Sequence, residues 1–129
     1  MNILLDTCAI LFLSTDDPCV TPSVRKALDH ANSVCVSPIS AAELACLQER
    51  KRIALPTHWK IWFRQAVYHN GWHVIDISMA IAEESYSLPD TFHPDPADRI
   101  LTATARLHNL RLLTTDRKIL DYPHVTASW

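Results

Sequence analysis

Short apolar runs alternate along this chain with apolar positions at helical spacing. Ile3-Leu4-Leu5 predicts a strand over about residues 2–6, followed by a short helix from Thr7 that fades towards Asp16-Asp17-Pro18. Thr21-Pro22 pairs an N-cap residue with a proline at the first helical position, and the helix it opens carries Val24, Ala27, Leu28 and Ala31 on one face. Val34-Cys35-Val36 is a strand. Ser40-Ala41-Ala42-Glu43 has the form of a capping box, opening a helix with Leu44 and Leu47 inward and a basic end at Arg50-Lys51-Arg52. After Pro56-Thr57, Trp59, Trp62, Phe63 and Ala66 predict another helix that stops at Asn70-Gly71.

The second half repeats the alternation. His73 to Ile77 is a strand, Ser78 to Ser85 a helix, and Leu88-Pro89 to Pro94 a loop. Asp95-Pro96-Ala97-Asp98 reads as N-cap, proline at N1 and an acid at N3, and the helix ends near His108-Asn109, where Asn suits the left-handed cap position. Leu110 to Thr114 is a strand, Asp116 to Leu120 a helical turn, and Val125 belongs to a brief last strand. Alternating strands and helices imply a three-layer α/β domain with a mostly parallel sheet.

Asp6, Glu43, Asp98 and Asp116 each stand near a handover between an apolar strand and a helix. In a parallel α/β domain these handovers gather on one edge of the sheet, so acids far apart in sequence share a pocket. Unneutralised, such a cluster repels itself; one or two hard divalent cations would keep the acids ionised, and oxygen-only ligands on Mg²⁺ or Mn²⁺ point to phosphodiester chemistry. Each acid alone also has a structural reading. Asp6 and Asp116 can cap the helices that follow, Glu43 can close a box with Ser40, and Asp98 can complement a helix dipole.

With 129 residues, 48% hydrophobic and 20% charged, residues 1–129 have the size and composition of one domain. A net charge of −2 gives no global attraction to nucleic acid, leaving any such binding to local basic groups or metal. Asp6 interrupts the first apolar run, no basic stretch precedes it, and no apolar run is long enough to span a membrane, so a cytoplasmic protein is expected. Cys8, Cys19, Cys35 and Cys46 lack C-x-x-C spacing and read as small reduced core residues; the seven histidines read as scattered surface or core residues. The single glycine, Gly71, excludes dinucleotide-binding, Walker A and nucleophile-elbow loops.

Leu5-Asp6-Thr7, the segment from Ser37 to Glu43, His93-Pro94-Asp95-Pro96-Ala97-Asp98-Arg99-Ile100-Leu101 with Ala103-Thr104-Ala105, and Leu113-Thr114-Thr115-Asp116 together resemble the PIN-domain ribonucleases, most of all the VapC-type toxins of bacterial toxin–antitoxin pairs. The resemblance covers nearly the whole chain, with Asn109 where relatives often carry glycine. It implies a five-stranded parallel sheet in the order 3-2-1-4-5 and a site of Asp6, Glu43, Asp98 and Asp116 holding one or two Mg²⁺ or Mn²⁺ ions. It further implies RNA cleavage, a small antitoxin partner, a homodimer and a larger assembly with the antitoxin. A non-catalytic PIN-like module binding RNA or protein is the alternative. A phosphatase of the D-x-D type is excluded because residue 8 is Cys.

Within that frame Asp6 and Asp116 are expected as direct metal ligands, Asp98 as a direct or water-mediated one, and Glu43 as a ligand or an orienter of the attacking water. Asp98 is aligned as the third acid by its spacing to Asp116, which leaves Asp95 as a cap or an outer contact. Thr114 and Thr115 are candidates to hydrogen-bond a carboxylate. Arg50, Lys51, Arg52, Lys60 and Arg64, with Trp59 and Trp62 interleaved, suit phosphate and unstacked bases. Their alternative is a solvated basic helix end beside a core aromatic stripe. Arg99 is expected to touch phosphate or pair with a neighbouring acid.

Overall fold

The computed structural model describes residues 1–129. Five strands, β1 (Asn2–Leu5), β2 (Ser33–Val36), β3 (His73–Val74), β4 (Arg111–Leu113) and β5 (Ala127–Ser128), form one parallel sheet in the order β3-β2-β1-β4-β5. The topology is the one the family resemblance implies. β1 lies at the centre, with Ile3 opposite both Val34 of β2 and Arg111 of β4.

Both faces of the sheet are covered, which explains why its central strands are continuously apolar. Side chains alternate across a strand, so neighbouring residues enter different cores. Ile3, Leu5, Val36 and Leu113 pack on one face with Ala9 and Ile10 of α1 (Thr7–Ser14), Val24 of α2 (Pro22–His30), Leu44 of α3 (Pro38–Glu49) and Phe63 of α4 (Trp59–Asn70). Leu4, Cys35 and Leu112 pack on the other with Leu101 and Ala105 of α6 (Pro96–Leu107), Ile119 of α7 (Arg117–Leu120), and the aromatic rings of Phe92 and Tyr122. The remaining helix, α5 (Met79–Ser85), packs against α6.

Several boundaries differ from the sequence expectation. The box at Ser40 does not form: Ser37 is the N-cap of α3, accepting from the Ile39 N–H, and Pro38 takes the first helical position. Ser40 is a fully buried residue inside the helix. α4 follows Pro56-Thr57 as expected, with His58 as its N-cap. β3 stops at Val74 instead of reaching Ile77, and the last strand lies at Ala127–Ser128 beyond Val125. All four cysteines are free, but only Cys35 is buried; Cys8 and Cys46 are exposed. Gly71 and Asn109 take the positive φ expected at the ends of α4 and α6. No helix is long and apolar enough to cross a membrane.

Candidate active site

Going outward from β1, the strand order reverses direction between β2 and β4, and open α/β sheets form their ligand crevices at such points, beyond the carboxyl ends of the strands. Asp6 leaves β1 there and is the N-cap of α1, its Oδ1 accepting from the Ala9 N–H at 2.7 Å. Asp116 follows β4 and caps α7, accepting from the Lys118 N–H at 2.8 Å. Thr114, fully buried, joins the two: its hydroxyl donates to Asp6 Oδ2 and accepts the Asp116 N–H at 3.0 Å. Capping and site membership therefore coexist in both acids. Thr115 is exposed and stands apart from this link.

α3 and α6 bring the other two acids. Because Ser37 and Pro38 start α3, Glu43 lies a turn and a half inside the helix and is free of any capping box; Thr7 Oγ1 donates to its Oε1 instead. The Ser40 hydroxyl lies 3.0 Å from the same Thr7 oxygen, so Ser40 supports Glu43 through Thr7. Asp95 caps α6, accepting from the Ala97 and Asp98 N–H groups at 2.9 and 3.4 Å, and Asp98 is the acid of the first turn. Asp95 is exposed, whereas the Asp98 side chain is only 16% exposed.

The electrostatics show that these acids share one field. Asp98 is pushed up to about 8, first by burial and then by the charges of Asp95, Asp116, Glu43 and Asp6. Burial also raises Asp6, opposed by the hydrogen bonds from Thr114 and Ala9, with Asp116 raising it further. Glu43 is raised by burial, opposed by Thr7, and raised again by Asp95 and Asp6. Cys8 stands at the mouth of the site. Partial burial and then the charges of Asp6, Glu43, Asp98 and Asp116 push its thiol up to about 11, which favours the protonated thiol.

One residue of the site is absent from the sequence expectation. His93, in the loop before α6, places its Nε2 at 3.2 Å from Asp98 Oδ2, and donor atoms of His93, Asp98 and Asp116 all lie within 4.8 Å of one another. That Nε2 is shielded from solvent and lacks a partner in hydrogen-bonding geometry, since its approach to Asp98 is close but misdirected. The donor set fits a divalent cation: clustered carboxylate oxygens that need neutralising charge, and a buried polar nitrogen with no other use. The usable signal was position, five residues before Asp98 in the segment that carries the family resemblance.

Arg99 forms no ion pair with a neighbouring acid. Its guanidinium donates to the carbonyls of Ser85 at 3.1 Å and Phe92 at 3.0 Å and lies over the Tyr86 ring at 4.9 Å, so it pins the loop that carries His93. Arg50, Lys51 and Arg52 are exposed at the end of α3. Lys60 and Arg64 line a groove of about 840 Å³ with Trp59, Phe63 and Trp72. None of the four acids lines this groove, so it is a separate surface feature. Trp59 and Trp62 pack against the core, as the structural alternative for the aromatic stripe requires.

A parallel α/β domain with an acidic crevice at the topological switch point defines the class. The PIN domain family matches residues 3–125, and the chain belongs to that family. It is 34% identical over 123 residues to Ribonuclease VapC22 of Mycobacterium tuberculosis, covering 95% of this chain and 93% of that one. Among solved structures, a toxin–antitoxin complex from Klebsiella pneumoniae aligns with a TM-score of 0.68 and 23% identity over 98% of this chain and 96% of its own. VapBC2 from Rickettsia felis, bound to a DNA fragment from their promoter, aligns with a TM-score of 0.72 and 16% identity over 100% and 99%. At those identities the two structures speak for the fold alone.

Proposed function

We propose that the protein is a metal-dependent endoribonuclease and the toxin of a toxin–antitoxin pair. The observation that carries this reading is the convergence of Asp6, Glu43, Asp98 and Asp116 on one sheet edge in a chain 34% identical to a ribonuclease. A binding module would have no electrostatic reason to keep four mutually repelling carboxylates, three of them held above their ordinary range.

Asp6 and Asp116, fixed by the shared Thr114 hydroxyl and by their own caps, would hold Mg²⁺ or Mn²⁺ directly, with Asp98 closing the site from α6. When bound, one or two ions supply charge stabilisation to the phosphodiester and lower the pKa of water. Glu43, steadied by Thr7, would serve as a further ligand or orient the attacking water. Lys60 and Arg64 are candidates for RNA phosphates outside the acidic crevice, with Arg50 and Arg52 beyond them. The small antitoxin partner is in keeping with the toxin–antitoxin complexes among the structural neighbours, and a second copy of the chain is carried over from the family resemblance.

The test is cleavage of a single-stranded RNA with Mg²⁺ or Mn²⁺ and with chelator. Wild-type protein should cut only with metal, and Asp116→Asn should fold yet cut at least ~100-fold more slowly, as expected for ~3 kcal/mol of lost transition-state stabilisation. A folded Asp116→Asn protein with undiminished turnover would overturn the assignment.

A further inference from the structure

We propose that His93 is a nitrogen ligand of the cation, making with Asp98 and Asp116 a mixed nitrogen and oxygen site that takes first-row transition-metal ions in preference to Mg²⁺. This rests on the nuclease reading above and adds to it the identity of a ligand and the class of metal. The side chain of His93 is 12% exposed, and its Nε2 is wholly shielded from solvent. A buried imidazole nitrogen is ordinarily hydrogen-bonded. This one is not, although Asp98 Oδ2 lies only 3.2 Å away, because the two atoms meet outside hydrogen-bonding geometry.

A shared cation accounts for both facts, since ligands of one ion approach each other closely without pointing at each other. Two donors ~2.1 Å from a common ion are at most ~4.2 Å apart, and the three donor atoms here already lie within 4.8 Å. The ring is also held in place independently of Asp98. It packs against Phe92 with centroids 4.5 Å apart, and the Phe92 carbonyl is fixed by Arg99. The three donors come from three different segments: the loop before α6, the first turn of α6 and the cap of α7. Imidazole favours transition metals, whereas Mg²⁺ favours carboxylate, carbonyl and water oxygens, so a histidine in this position shifts the balance away from Mg²⁺.

The experiment uses tag-free full-length protein loaded with Mn²⁺, read by pulsed electron paramagnetic resonance, with and without ¹⁵N-labelled histidine. Wild-type protein should show nitrogen modulation on bound Mn²⁺ that changes with the label. In His93→Gln the modulation should vanish and Mn²⁺ affinity should fall at least about tenfold, with Mg²⁺ affinity nearly unchanged in a competition titration. Bound Mn²⁺ with no nitrogen modulation in wild type, or modulation that persists in His93→Gln, would overturn the inference and leave the nuclease reading standing. Failure of wild type to bind either ion would sink both. Absence of nitrogen modulation in the labelled wild type overturns the inference whether or not the variant folds, and His93→Asn serves as a second variant to assign the signal to this one of the seven histidines.

Discussion

Thr114 shows how much of this site depends on one hydroxyl. It is fully buried, gives its proton to Asp6 and receives one from the Asp116 backbone, so it fixes the spacing of two acids that leave different strands. Thr114→Val keeps the shape and removes both bonds, leaving a buried carboxylate oxygen without its donor; it should cost about 1–3 kcal/mol of stability. RNA cleavage should fall at least tenfold, and Thr114→Ser should restore most of both losses. Denaturant midpoints and cleavage rates measure the two effects, and wild-type turnover in a folded Thr114→Val protein would separate Thr114 from the chemistry. At this scale the acids were legible because each sits near a strand and helix boundary, a position the apolar pattern marks. His93 was not. A lone histidine carries no periodic signal, and only the fold shows that its loop runs back against Asp98.

At the scale of elements, proline at the first helical position proved a stronger start signal than the spacing of polar residues. Thr21-Pro22 and Asp95-Pro96 open α2 and α6 as expected, and Ser37-Pro38 opens α3 by the same rule. The competing pattern at Ser40 and Glu43 fits a capping box but lies one turn inside that helix. There Ser40 meets Thr7 across the interface between α1 and α3, which a linear sequence does not display. The short outer strands were misplaced for a related reason. Two residues of β3 and two of β5 carry no readable alternation, and their bounds are set by pairing with β2 and β4.

The loop between α5 and α6 is an element in its own right, held by Arg99 through the Ser85 and Phe92 carbonyls and by the Tyr122 hydroxyl on the Pro89 carbonyl. Arg99→Gln loses the fork that spans two carbonyls and the stacking on Tyr86, and charge-assisted hydrogen bonds of this kind contribute about 1.5–3 kcal/mol each at most. The expected result is faster amide hydrogen exchange across residues 86–94, with little change in β1 and β4. Exchange that rises equally in the central strands would mean that Arg99 supports the global fold and not this loop.

For the whole molecule, the net charge of −2 conceals a concentration of negative charge at one edge of the sheet, and folding must work against it. Asp98 has a folded pKa of about 8 against about 4 in an unfolded chain, and Asp6 and Glu43 are raised as well. The folded state thus binds more protons than the unfolded state between about pH 4 and pH 8, so this contribution to stability is present at the acid end and declines as pH rises through that window, by up to ~1.4 kcal/mol per pH unit for each fully shifted group. In chelator, the melting temperature of wild-type protein should therefore fall from pH 5 to pH 8. Every other group is common to both proteins, so the informative quantity is the difference from Asp98→Asn. Below about pH 4 the Asp98 carboxyl is protonated in both the folded and the unfolded state and resembles the amide, and the two proteins should melt together. At pH 8 the variant should melt higher. Saturating Mn²⁺ should reverse that order at pH 8, because a cation stabilises the ionised carboxylates and competes with their protons. Parallel melting curves for the two proteins across the pH range, with and without metal, would show that Asp98 neither suffers the repulsion nor meets the ion.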